Sequence, residues 1–116
     1  MIDMETVNSI KIIGQLRKKQ DYFSKIFDIF SNQSDKIIES LENAIQSKDQ
    51  ISIYRLSHKL KGGAQSIGAV DLGKRCYELE DWSNNEDGTN EFQKANSIFE
   101  GIKSSYQKSK GLLKTL

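Results

Sequence analysis

A chain of 116 residues can bury one core of useful size, read here as a single unit over 1–116, and leaves no room for a catalytic domain beside it. With 36% apolar and 28% charged residues it has the make-up of an ordinary water-facing fold, and a net charge of +1 argues against a general nucleic-acid binder. One cysteine excludes an internal disulfide, and one histidine with one cysteine excludes a structural zinc site, so neither metal nor cofactor is expected. The start, MIDMETVNSI, lacks the basic and apolar runs of a signal peptide, and no apolar stretch is long enough to span a bilayer. The expectation is a cytoplasmic monomer with no membrane and no nucleic-acid partner.

No proline occurs, and every long segment shows helical spacing. A short first helix is predicted over 4–13, with Val7, Ile10 and Ile13 in register and Gly14 as its stop. Residues 18–20 form a polar connection. The second helix, about 21–47, is the longest. Phe23, Ile26, Phe27, Phe30, Ile37, Leu41 and Ile45 recur along it every three or four positions, a core stripe, and its polar middle at 31–34 leaves room for a bend. Residues 47–49 turn the chain, with Ser47 or Asp49 as the cap of a third helix from about 50 to 66.

That third helix carries the only histidine. At about 100° per residue, Ile53, Leu56, Leu60, Ala64 and Ile67 fall in one stripe, and His58 points roughly 150° away from it. Lys61, Gly62 and Gln65 share the side that displays His58. Gly68 breaks the helix, and a fourth helix begins near Val70 with Leu72, Cys76 and Leu79 inward. Cys76 reads as core rather than as a reactive thiol.

So short a turn makes the two helices antiparallel. His58 lies ten residues before Gly68 and Glu80 eleven after Ala69, so both stand about 15 Å from the turn. Glu80, at the edge of its stripe, can lean on one imidazole nitrogen and leave the other free as a nucleophile. Lys61 can neutralise an anion arriving there, and Gly62 clears the approach. Such a set suits a phosphoryl group.

Trp82 is placed as packing over the bundle end, and 83–89 is the most loop-like segment. Thr89 or Asn90 would cap the last helix, whose inner face is Phe92, Ala95, Phe99, Ile102 and Tyr106. Gly111 would end that helix and leave a frayed tail over 112–116. The fold expected is all-α: an antiparallel four-helix bundle plus a short N-terminal helix, which lids the end opposite the Asp87-Gly88 loop.

His58-Lys59-Leu60-Lys61-Gly62, Ile67-Gly68-Ala69, Leu72, Cys76 and Leu79-Glu80 together resemble the histidine-containing phosphotransfer (HPt) domain. The resemblance implies a helical-bundle carrier in a two-component phosphorelay. His58 would be phosphorylated, Lys61 would be its helix neighbour, and Glu80 would stand where the family hydrogen-bonds the ring. The partners implied are receiver domains of response regulators or a hybrid sensor histidine kinase. Tyr54, Arg55, Lys59, Gly62 and Gln65 are the candidate docking residues around the histidine.

Segment 50–70 holds Arg55, Lys59 and Lys61 and no acid, whereas 78–91 holds six acids and no base. A basic surface around His58 suits an acidic phosphoacceptor pocket, although a solvated helix face would show the same pattern. An enzyme reading finds no support. Gly62-Gly63 is mid-helix with no phosphate-loop lysine after it, and Ser57 and Ser66 point away from His58. The alternative is a helical interaction module that binds receiver domains without transfer. The start at Met1 and the short tail favour a free-standing protein over a piece of a hybrid kinase.

Overall fold

The computed structural model describes residues 1–85 and 91–116. Among these residues five helices follow in order: α1 (Met4–Leu16), α2 (Tyr22–Gln46), α3 (Gln50–Ile67), α4 (Val70–Ser83) and α5 (Phe92–Lys114). Helices α2 to α5 form the antiparallel bundle and α1 is the short extra member, the all-α architecture read from the sequence.

The aromatic stripe of α2 does what its spacing demands. Phe23, Phe27, Phe30, Ile37, Leu41 and Ile45 are all buried, and Ile26 packs against them. The polar stretch 31–34 lies within a continuous helix and serves as a docking point for α5. The Tyr106 hydroxyl donates to the Ser31 carbonyl at 3.0 Å and to Asp35 Oδ1 at 2.7 Å. Burial, together with Asp35, pushes that phenol up to about 12.

Asp49 rather than Ser47 caps α3, accepting from the Ser52 amide at 3.1 Å and the Ser52 hydroxyl at 2.6 Å. Gly68 ends the helix at φ 88°, the left-handed conformation that glycine takes without strain. The Ala69 amide then closes the turn on the Ala64 carbonyl at 2.8 Å. Ile53, Leu60, Ala64 and Ile67 are buried as expected, while Leu56 is half-buried and Ser57 takes the remaining inward place. The Ser57 hydroxyl donates to the Ile53 carbonyl at 2.7 Å, which satisfies it in the core.

The helix ends differ from the sequence reading in three places. Helix α1 passes through Gly14 to Leu16, because Gly14 is a contact rather than a stop: a Cβ there would collide with the Cβ of Tyr22. Accordingly Gly14 is buried and Ile13 is exposed. Ser83 belongs to α4 and is buried, not part of the following loop. Helix α5 runs past Gly111, so 112–114 is helix rather than frayed tail, and Leu113 lies in the core at 1% exposure. The Asp87-Gly88 loop and the caps expected at Thr89 or Asn90 fall outside the described residues.

Helix α1 starts at the α3–α4 turn. The Asp3 amide donates to the Gly68 carbonyl at 2.8 Å and the Val70 amide to the Met1 carbonyl at 3.2 Å. At the other end of α4, Trp82 meets Phe92 edge-on with centroids 5.1 Å apart, the packing role expected of it.

Leu113 distinguishes a packed last turn from a frayed one. Leu113→Ala should cost about 2–5 kcal/mol in urea denaturation, as a buried leucine does. A loss within a few tenths of a kcal/mol of zero would restore the frayed tail.

Candidate functional site

The turn at Gly68 sets the register of α3 against α4, and that register brings His58 and Glu80 together. The imidazole Nδ1 lies 2.9 Å from Glu80 Oε1. The His58 side chain is 62% exposed and the Glu80 side chain 11%. Nε2 has no hydrogen-bond partner among the described residues, so the ring is fixed on one edge and open on the other. With an ionised carboxylate at Nδ1, that nitrogen carries the proton and Nε2 keeps its lone pair.

Lys61 completes a triad, though not as the free cation that its place on the helix wheel suggests. Its ammonium lies 2.7 Å from Glu80 Oε2, and its side chain is only 18% exposed. Oε2 is buried, and the Lys61 ammonium is its partner. Burial alone would raise the Glu80 carboxyl. The hydrogen bonds and charges of Lys61 and His58 outweigh it and hold the group below the ordinary glutamate value. Glu80 in turn raises the Lys61 ammonium, against a smaller opposing effect of burial.

Two tyrosines flank the triad. Tyr54, one turn before His58, lies nearly parallel to the imidazole at 10° with centroids 6.3 Å apart. Tyr77 on α4 sets its ring 5.4 Å from the Lys61 ammonium. The sequence reading missed Tyr77, yet the level-matching that paired His58 with Glu80 finds it. Lys61 is seven residues before Gly68 and Tyr77 is eight after Ala69.

The remaining docking candidates divide. Among the described residues nothing lies within 4 Å of where a Gly62 Cβ would be, so open space stands beside the histidine. Gly63, in contrast, faces Phe30 across the α2–α3 interface. Gln65 is exposed and lines a cleft with Lys61, Gly73 and Tyr77. Lys59 borders a different cleft of about 210 Å³ between α2 and α3, with Ile26, Ile29 and Phe30. Arg55 is exposed and bonded to no member of the triad. The structure therefore gathers His58, Lys61, Glu80 and Tyr54 into one cluster, with Gly62 and Gln65 on its rim and Lys59 and Arg55 beside it. Cys76, in the core behind the site, has its thiol pushed up to about 12 by burial and is not a nucleophile.

A protein-family model described as the Hpt domain matches residues 25–110. The crystal structure of histidine-containing phosphotransfer protein B (HptB) from Pseudomonas aeruginosa PAO1 is similar, with a TM-score of 0.82 and 25% identity. The match covers 98% of this chain and 91% of that one. No match was found among the curated proteins.

The ion pair has a pH signature. Glu80 is lowered from 4.5, so its share of stability is present above that pH and is lost as the pH falls through its folded value. Lys61 is raised from 10.5, so its share is present below that pH and is lost as the pH rises beyond it. In Lys61→Met the buried carboxyl keeps only His58, and its titration followed by carbon NMR should move up from the wild-type position. An unmoved Glu80 titration would show that the ion pair does not hold the carboxylate charged.

Proposed function

Because this chain belongs to the Hpt domain family, we propose that it is a phosphoryl carrier, taking a phosphoryl group on His58 from one receiver-domain aspartate and yielding it to another. The observation that carries this reading is the half-tied imidazole: Nδ1 is 2.9 Å from a buried carboxylate while the ring stands 62% exposed. In the transfer step the Nε2 lone pair attacks phosphorus, the N–P bond forms, and the acyl-phosphate O–P bond breaks to release the aspartate carboxylate. The Nδ1 proton stays where it is, so the phosphorylated ring is cationic and Glu80 lies against it. Lys61 keeps that carboxylate ionised and adds positive charge beside the arriving group.

The protein carries phosphate without making it, as one unit over 1–116 and as a cytoplasmic monomer. Among the described residues no helix is long and apolar enough to cross a membrane. Receiver domains dock over α3, where Tyr54, Arg55, Lys59 and Gln65 surround the histidine and Gly62 gives the clearance. Glycine inside a helix costs about 0.5–1 kcal/mol relative to alanine, and no contact among the described residues needs this one.

Label from a phosphorylated receiver domain should appear on the wild type, survive base and be lost in acid, as a phosphoramidate is. It should be absent from His58→Gln. Label that persists in that variant refutes the assignment, and a wild type that binds receivers but takes no label is a docking module instead.

Gly62→Ala should raise thermal stability slightly and leave transfer nearly intact. Gly62→Gln should fold and lose receiver-dependent labelling, while phosphoramidate, a small donor, labels it as it labels the wild type. Receiver-dependent transfer at the wild-type rate in Gly62→Gln would remove the clearance role.

A further inference from the structure

Tyr77 has no place in the carrier reading so far, and its surroundings are specific. The residue is 57% exposed, so core burial is not what fixes its position. Its ring lies 5.4 Å from an ammonium that is also 2.7 Å from Glu80 Oε2. Lys61, although on the outward side of α3, is only 18% exposed in its side chain. A lysine at such a place ordinarily extends into water, and this one is folded into the seam between α3 and α4.

We propose that Tyr77 is a positioning residue for phosphotransfer: its ring keeps the Lys61 ammonium on Glu80, and Glu80 so held keeps the His58 ring aimed with Nε2 outward. The proposal rests on the carrier reading of His58. The negative face of an aromatic ring attracts a cation, most strongly where water is partly excluded. With the ring in place the ammonium has two partners inside the seam and little reason to leave. Without it, hydration competes and Glu80 Oε2 loses its buried partner for more of the time. A buried carboxylate so exposed to its own desolvation either takes up a proton or turns outward. Either response loosens the contact at Nδ1.

The other titratable groups near the seam do not offer the same service. Tyr54 lies against the imidazole on α3. Asp3, Lys74 and Glu78 share the cleft that Tyr77 and Lys61 line. None of them forms an ion pair or hydrogen bond with Lys61 or Glu80.

The test compares Tyr77→Leu with Tyr77→Phe in the full chain. Leucine is a good helix former at an exposed site and removes the ring, whereas phenylalanine keeps the ring and removes only the hydroxyl. Carbon NMR follows the titrations of Glu80 and Lys61, and labelling of His58 is timed with both a phosphorylated receiver and phosphoramidate. In Tyr77→Leu the Glu80 titration should move up, that of Lys61 down, and labelling should slow about two- to five-fold with either donor. Tyr77→Phe should match the wild type in the Glu80 titration and in labelling with both donors, while its Lys61 titration loses only the raising effect of the phenolate. Unmoved titrations or an unchanged labelling rate in Tyr77→Leu overturn the proposal. So does a Tyr77→Phe variant that behaves as Tyr77→Leu does, or a slowing seen only with the receiver, which assigns Tyr77 to docking. A wild type that takes no label overturns the carrier reading and this proposal with it; a labelled wild type beside an unaffected Tyr77→Leu overturns the proposal alone.

Discussion

A carboxylate with 9% of its residue surface exposed must be compensated or protonated, and the site depends on how Glu80 meets that constraint. It is compensated on both oxygens, by Nδ1 of His58 on one and by the Lys61 ammonium on the other. The two contacts have different consequences. The ion pair keeps Glu80 charged, and a charged Glu80 fixes the orientation and tautomer of the imidazole. The reactive ring can thus stand in solvent while the group that orders it remains inside. An exposed histidine without such an anchor would sample many rotamers and present its nucleophilic nitrogen only part of the time.

This arrangement is a matter of register more than of local sequence. The left-handed Gly68 closes α3, and the amide of Ala69 reaches back to Ala64 so that α4 begins at once. Slipping one helix by a single residue would rotate Glu80 about 100° away from the histidine. The turn is also where α1 is attached, through Asp3 and Met1 to Gly68 and Val70. A Cβ on Gly68 would come within 2.8 Å of the Asp3 carbonyl, so the same glycine serves the backbone conformation and the approach of α1. Helix α1, too short to be a bundle member, thereby braces the turn on which the site's register depends.

The sequence alone was enough for the helices and for most of their inner faces. Most aromatic and aliphatic residues at three- and four-residue spacing are buried in α2 to α5, because burying one continuous stripe is how such a helix removes its apolar surface from water. The half of the site that depends on position along a hairpin was legible too. Rise per residue and a known turn place His58 and Glu80 at one height, and the wheel turns the histidine outward.

Contacts between side chains from different helices were decided only by the tertiary structure. Gly14 reads as a helix stop until Tyr22 is seen packed on it, and Gly111 reads as another until Leu113 is found in the core. In both cases burial of a neighbouring segment outweighed the local preference of glycine, which is worth only about 1 kcal/mol. Lys61 shows the same limit. Its place on the helix wheel gives the direction in which its stem leaves α3, but a flexible four-carbon chain goes where its charge is best met. That place is the buried carboxylate of Glu80, under the ring of Tyr77, and it exists only when α4 is packed against α3.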